Sequence, residues 1–501
     1  MTSTVFVNGV TLTDADWFND SDTTIYKSVV SAITLGCACD GSTDDYALIN
    51  AYVVAEAAAG RTPLVSFPPG STTMVSQALP FRTGGAYICI GGFATIKAHS
   101  TSTDNVIGEA NPVAAYSGFY MQNIIVDGNR ANVSYNTRNA GATDDSYQNG
   151  LRLNQVANSV FRNVRTKEIV FNGFSVYAIS SDNVFENCWA TDIGKTTSIV
   201  SGASSYYGIF VEFGCDRNKF VNPYINTTRE HGIVETGQGA DNYDNEYINP
   251  IVISAGSDGI RLADGSGTNT MHRPKIINPL VLSCSGVGAV GIRLSPNAGG
   301  SITDPLIVTP HIESCTNGII LQGGAGSSVS RARILAPNIR SSTTNNLVLS
   351  SPATDTMIIG GTSLAAGSSN YSDSGTRTIT YGLVTDTTGT FNTTAGITAT
   401  GDIKITRSSG TTIQFLLNQS GVVQWYLKNI ATTGSFSVGS GGLGDMIAIT
   451  TAGAMSIANS GNSLGFYGAT PVAKQLLATG AAHTVDDVIT ALQQLGLVKQ
   501  S

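Results

Sequence analysis

Carboxylates that interrupt a repeating pattern are the first residues here whose types and spacing suit chemistry. A polar residue, then Gly, then alternating apolar positions recurs at Asn149-Gly150-Leu151, Asn172-Gly173-Phe174, Tyr207-Gly208-Ile209, His231-Gly232-Ile233 and Asp258-Gly259-Ile260. Val290-Gly291-Ile292 and Asn317-Gly318-Ile319 continue the series. Counted from each glycine, the third position reads Leu153, Val176, Val211, Glu235, Leu262, Leu294 and Leu321. Glu235 therefore stands in a column of aliphatics. If that column points inward, Glu235 is buried and its pKa rises; if the register slips at Thr236-Gly237, it lies on the surface. Glu212 holds the outward fourth position one repeat earlier. A strand spacing of about 4.8 Å and an offset of one residue put the two backbones roughly 6 Å apart. Such a pair suits acid–base cleavage of a glycosidic bond. Glu235 is the expected acid and Glu212 the base or nucleophile, with Asp258 and Asp264 in reserve. Arg229, Arg293, Tyr206 and Tyr207 would line the groove, and His231 and Arg261 would help hold a sugar. Rings stack on sugar faces while charged groups grip hydroxyls and carboxylates. Two chemistries stay open: a hydrolase with two carboxylates, or a lyase with a His, Tyr or Lys base and Arg neutralising a uronate.

The elements that must position these residues are repeats. A second column runs out of phase with the glycines, at Asn163, Asn187, Asn222, Asn249 and Asn278, with successive members 24 to 35 residues apart. It decays to Val308-Thr309-Pro310 and Leu335-Ala336-Pro337. Such a period, filled with short runs alternating apolar and polar residues, means stacked β coils. No repeat has room for a helix beside its strands, which excludes helical solenoids and leucine-rich horseshoes. The expected fold is mainly β, a right-handed parallel β-helix. Asn fits the bends because it tolerates left-handed backbone and its amides can bond along the column.

Composition agrees. Of 501 residues only 12% are charged, 41% are hydrophobic and 56 are glycine, which suits a folded chain rich in turns. A net charge of −8 argues against nucleic acid or an anionic membrane as partner. Seven cysteines, at 37, 39, 89, 188, 215, 284 and 315, show no metal-ligand spacing; buried free thiols, made in a reducing cytoplasm, are expected. No charged-then-apolar leader and no eighteen-residue apolar run occurs, so neither secretion by the general route nor membrane insertion is expected.

Along the chain, Val5 to Val10 and Thr13-Asp14-Ala15-Asp16-Trp17-Phe18-Asn19 form a segment too short for its own core. It resembles the N-terminal segment of bacteriophage tail proteins. Cys39-Asp40-Gly41-Ser42-Thr43-Asp44-Asp45 precedes a helical run from Tyr46 to Ala59, and Phe67-Pro68-Pro69-Gly70 follows. Aspartates there are expected to satisfy free helix N–H groups, and the helix to cap the first coil's open edge. This order resembles the start of pectate-lyase-like β-helices, phage tailspikes included, with Cys39 in place of a glycine. The resemblance implies that Asp40, Asp44 and Asp45 are structural. After Leu349 the repeat dissolves into Gly, Ser and Thr, and short alternating segments such as Ile413 to Leu416 and Val422 to Leu427 follow. These resemble the C-terminal β regions of phage tail fibres. Leu464-Gly465-Phe466-Tyr467-Gly468-Ala469-Thr470-Pro471-Val472-Ala473-Lys474-Gln475 resembles a run near the C-termini of phage tail proteins. Thr484 to Asp487 then caps a last helix, whose Val485, Val488, Leu492 and Leu495 form a coiled-coil seam or dock on their own subunit.

Five regions are therefore expected: an attachment segment (1–31), a cap with first coils (32–148), the central β-helix (149–360), a β-rich trimerisation region (361–463) and a terminal assembly motif with helix (464–501). The resemblances imply a homotrimeric phage tailspike in the virion, joined to tail or baseplate proteins by its N-terminal segment. They imply binding, and often degradation, of a bacterial surface polysaccharide, with no cofactor. The alternative is a receptor-binding or structural tail fibre protein that cuts nothing.

Overall fold

The computed structural model describes residues 29–385 except 103, 113, 134–147, 195–205, 264–267 and 352, with strands at Val5–Val7, Val10–Leu12 and Phe391–Asn392, five strands between 413 and 457, and residues 484–494. Two compact units divide at Ile397 and Thr398.

In the first unit successive coils contribute one strand each to two long parallel sheets, and later coils to a third and a fourth. Sheet I has thirteen strands, from Val30–Ser31 to Ile379–Tyr381, and sheet II thirteen, from Asp40–Asp44 to Val384–Thr385. Sheet III has ten, from Leu151–Asn154 to Phe391–Asn392, and sheet IV has five short ones, from Asn242–Tyr243 to Ala353–Thr354. Strands pair in register with the coil above and below, so each sequence column becomes a physical column.

Glycine recurs because two walls meet there. A Cβ at Gly232 would lie 2.4 Å from Val252 Cγ1 on sheet II and 2.6 Å from the Gly259 carbonyl of the next coil. At the bends between sheets I and II, Asn163, Asn187, Asn222, Asn249 and Asn278 all adopt left-handed backbone, φ 50° to 53°. Their amides bond along the column, Asn222 Nδ2 to Asn187 Oδ1 at 3.0 Å and Asn249 Nδ2 to Asn222 Oδ1 at 2.9 Å. Inside, Phe161, Phe185, Phe220 and Tyr247 stack face to face, with centroids 4.8, 4.5 and 5.2 Å apart.

Helix α1 (Tyr46–Ala58) buries Ile49 and Val53. Its capping differs from expectation. Asp44 Oδ1 accepts the Tyr46 N–H, but Asp45 turns its carboxylate onto the Ala38 and Cys39 N–H groups instead. All seven cysteines are free and buried.

Coils continue past the boundary expected near residue 360. Thr362–Leu364 pairs with Asn338–Arg340, Ser369–Asp373 with Asn345–Leu349, and Ile379–Tyr381 with Met357–Ile359. These rungs fill inward positions with Ser363, Tyr371 and Asp373, which are buried, and Tyr371 Oη bonds Asp373 and Thr380. Polar residues satisfied inside a core leave no aliphatic repeat to read.

The second unit contains a five-stranded antiparallel sheet, Ile413–Gln419 to Met455–Ile457, and helix α2 (Val485–Gln494). Thr484 and Asp487 cap α2 reciprocally: Asp487 N–H donates to Thr484 Oγ1 and Thr484 N–H to Asp487 Oδ2. The expected tail-protein motif at 464–475 and most of the 1–31 segment lie outside the described residues.

Candidate functional site on the outer face of sheet III

Residues just before each repeat glycine form a column along the entrance edge of sheet III. There, side chains accept hydrogen bonds from the backbone of the next coil. Tyr207 N–H donates to Asn172 Oδ1 at 3.0 Å, Asp258 N–H to His231 Nδ1 at 3.0 Å, and Val290 N–H to Asp258 Oδ1 at 2.9 Å. His231 and Asp258 are thus rungs of a ladder as well as neighbours of a surface. Burial, opposed by Asp258, lowers the His231 pKa to about 4, so the imidazole is neutral. Nδ1 faces the Asp258 N–H, and Nε2 lies 3.3 Å from the Arg261 guanidinium. Asp258, 1% exposed, also takes Arg293 Nε at 2.8 Å and Nη2 at 3.1 Å.

Aromatic rings flank this polar row. The Arg229 guanidinium lies 4.5 Å over the Tyr206 ring, a cation–π contact. Tyr207 packs against Phe210 at 5.1 Å and against His231 at 5.3 Å. The fold therefore brings Tyr206, Tyr207, Arg229, His231, Asp258, Arg261 and Arg293 together at this edge, where Arg229, Arg261 and Arg293 are half-buried and the two tyrosines, His231 and Asp258 are buried beneath them.

The two glutamates are not brought there together. Their register is the expected one: Val211 pairs with Glu235, Glu212 with Thr236, and Glu235 with Leu262. Both, however, are buried, Glu212 at 4% exposure and Glu235 at 1%. Glu235 points into the core, where Oε1 accepts Asn245 Nδ2 at 2.9 Å and Oε2 accepts Tyr247 Oη at 3.1 Å. Asn245 ends an internal amide ladder in which Asn183 Nδ2 donates to Asn218 and Asn218 Nδ2 to Asn245. Tyr247 ends the aromatic stack. The carboxylate in the aliphatic column is therefore the common terminus of two interior stacks. Burial pushes its pKa up to about 7, against the pull of the Asn245 and Tyr247 hydrogen bonds. An acid–base pair of Glu212 and Glu235 across an open groove does not form. Asp264 lies outside the described residues.

Glu230 is the carboxylate that counting from the glycines passed over. It sits at the bend before the strand, its N–H bonded to the Tyr206 carbonyl and its own carbonyl to Ser257 N–H. Its Oε2 is buried with no hydrogen-bond partner. Burial raises its pKa, opposed by attraction to Arg229 and, more weakly, Arg261. A bend residue has no place in an alternating strand pattern, so only its neighbourhood with Arg229 and His231 pointed to it. Among the described residues no cluster of metal-binding side chains occurs, and no helix is long and apolar enough to cross a membrane.

No protein-family model and no curated protein sequence matches the chain. Among solved structures it is similar to an exopolygalacturonase from Thermotoga maritima, at 10% identity over 71% of this chain and 92% of that one, TM-score 0.50. It is also similar to the ORF18 protein of Geobacillus virus E2, at 13% identity over 91% and 81%, TM-score 0.49. A further similar structure is the Dettilon tailspike protein, at 15% identity over 87% and 80%, TM-score 0.40. What such identities share is the fold. The chain is a right-handed parallel β-helix. Its β-helix unit accounts for nearly all the strands expected from the repeats.

Proposed function

We propose that this β-helix is a tailspike-type protein that binds a bacterial surface polysaccharide along the outer face of sheet III. The observation that carries this is the row of Tyr206, Tyr207, Arg229, His231 and Arg261 on one face. Half-buried guanidinium groups at the spacing of stacked coils match the hydrogen-bonding demands of a sugar chain, and the buried Tyr206 and Tyr207 rings hold them in place. The phage-like runs at 13–19, 39–45, 67–70 and 464–475 supply the biological setting: a virion protein, homotrimeric, tied to the tail by its first residues. An array of capsular, O-antigen and exopolysaccharides should show retention of at least one. Arg261→Ala and Tyr207→Ala should each weaken that retention about tenfold or more. A protein that binds no polysaccharide, or binds one equally after both changes, has its glycan surface elsewhere or none.

Degradation of the bound glycan is a second reading, favoured by Glu230. A carboxyl whose pKa is raised by burial beside arginines and a tyrosine is a candidate proton donor, and Asp258 supplies a second carboxyl group one coil on. Asp258 is held by three donor groups, which suits electrostatic support better than attack. Incubation with the retained polymer separates the outcomes. A fall in polymer size with new reducing ends marks a hydrolase, ultraviolet-absorbing unsaturated sugars mark a lyase, and unchanged polymer marks a receptor-binding protein that cuts nothing.

A further inference from the structure

Sheet I presents an outer face unlike that of sheet III. Each of its strands points its middle residue inward and its two flanking residues outward. Followed coil by coil, the later outward column is polar through Gln122, Arg162 and Glu186. It turns apolar at Val221 and stays so through Ile277 and Leu335 to Tyr381. In the companion column Lys275 Nζ lies 2.6 Å, and Lys219 Nζ 3.8 Å, from Glu246 carboxylate oxygens, and Arg333 stands exposed between Leu306 and Met357. Towards the end of the rod both columns are apolar, and exposure grows to 41% at Ile359, 58% at Ile379 and 75% at Tyr381. A continuous apolar stripe of this kind on a folded chain marks an interaction surface.

We infer that this stripe is the face by which copies of this chain pack side by side, parallel, about an axis running along the β-helix. Three features select a second copy over an unrelated partner. The column from Val221 to Tyr381 itself carries no charge for an acidic or basic partner to recognise, and Arg333 flanks it at one rung only. It is straight and parallel to the coil axis, about 29 Å long over six strand spacings of about 4.8 Å. A copy rotated about a parallel axis sets every rung beside an identical rung at the same height, so apolar length meets apolar length and polar rungs meet polar ones. Finally, the chain runs from the most exposed end of the stripe into a second unit that leaves Val485 74% exposed on α2, so each compact unit has apolar surface left to cover. The stripe alone offers a few hundred Å² of flat area, short of the roughly 800 Å² per partner of a stable interface. It therefore orients the rods, while the second unit adds the rest of the association.

This surface lies on a different sheet from the glycan face, and the inference stands whether or not sugar binds there. All native cysteines are buried, so a single surface cysteine reports on neighbours without competition. In the full-length protein, Leu335→Cys should give covalently joined chains on a denaturing gel after mild oxidation. Ser330→Cys, outward on sheet IV, should remain single. In parallel, Ile277→Glu with Leu335→Glu should move the multimer-to-monomer transition in sedimentation to at least tenfold higher protein concentration, with the β-type circular dichroism unchanged. A monomeric wild-type protein overturns the inference, as does a multimer in which Ser330→Cys joins and Leu335→Cys does not. Should the double glutamate variant misfold, the cysteine comparison decides alone.

Discussion

Replacing Glu235 by Gln tests whether that carboxyl is structural, and the size of the effect follows from its surroundings. The unfolded carboxyl ionises near 4.5 and the folded one near 7, because burial disfavours the charge. A raised folded pKa means that the folded state holds a proton which the unfolded state has lost. Its contribution is therefore fully present below pH 4.5, falls as pH rises through the window, and is gone above about 7. At about 1.4 kcal/mol per pH unit the span is about 3 kcal/mol, and the fully buried site calls for no discount for solvent screening. His231 works in the opposite direction. Its pKa is lowered from 6.5 to about 4, so stability is lost as pH falls through that range. The two slopes nearly cancel in the wild-type protein, and a wild-type profile alone would hide both. The difference between wild type and Glu235→Gln removes every other group, provided the sites are independent. Gln keeps the shape of the protonated acid, with an oxygen for one neighbour and an amide for the other. The variant should match wild type near pH 4 and exceed it by up to about 3 kcal/mol at pH 8. Guanidinium denaturation followed by intrinsic fluorescence, in buffers from pH 4 to 8, measures this. A pH-independent difference would refute the reasoning and return Glu235 to solvent.

Other expectations follow from the same geometry. If polymer is cleaved, Glu230→Gln should slow cleavage at least about a hundredfold, whereas Glu235→Gln should leave the rate within a few-fold of wild type; the reverse ranking in a reducing-end assay would restore the original assignment. A chain ended after Ile397, the limit of the β-helix unit, should keep its circular dichroism but lose stable trimers at low micromolar concentration in analytical ultracentrifugation. Deleting residues 1–31 should leave glycan binding intact and abolish incorporation into virions, scored by the protein content of purified particles. Arg273→Ala removes a bidentate pair with Asp244, Nε–Oδ1 2.8 Å and Nη2–Oδ2 2.7 Å, but both groups are well exposed. It should leave the denaturation midpoint nearly unchanged, because solvent replaces the pair.

The coil architecture was legible in the sequence because its constraints are steric and repeat at every turn. No residue with a Cβ fits at Gly232, since sheet II and the next coil's carbonyl both stand in the way. The left-handed bends likewise favour Asn on every turn. Counting from these two columns placed Glu235 inward in register with Leu262. What counting could not show was that Asn245 and Tyr247, ten and twelve residues on, come round to satisfy the carboxylate. That makes it a keystone of the core instead of an acid in a groove. Glu230 was legible only as a neighbour of the site, because bends carry no periodicity from which its burial could be read. The end of the β-helix was misplaced because Tyr371 and Asp373 satisfy each other inside the last coils, so burial there does not need the aliphatic residues that announce it elsewhere.

Interior and exterior columns consequently carry different kinds of information. An inward position faces the same position one coil away, only about 4.8 Å distant, so a change in one rung is felt by the next and residue types persist: Phe161, Phe185, Phe220, Tyr247. Outward positions are coupled only through pairs that solvent can replace, such as Lys275 with Glu246, so each face can vary towards its own partner. Sheet III is aromatic and basic at its entrance edge, while one outward column of sheet I is apolar over seven rungs. Neither face breaks the repeat, because both leave the inward residues untouched. A repeat search therefore finds the rod and is blind to its surfaces, which emerge only after the register is known and the outward residues are read down each column. Read that way, Arg261 and Leu335 stand on different sheets of one scaffold. A change at Arg261 should weaken glycan retention without moving the multimer transition, and Leu335→Glu should move the transition without weakening retention by a single copy. Loss of both properties from either single change would mean that glycan is gripped between subunits, and would join into one surface what the columns separate.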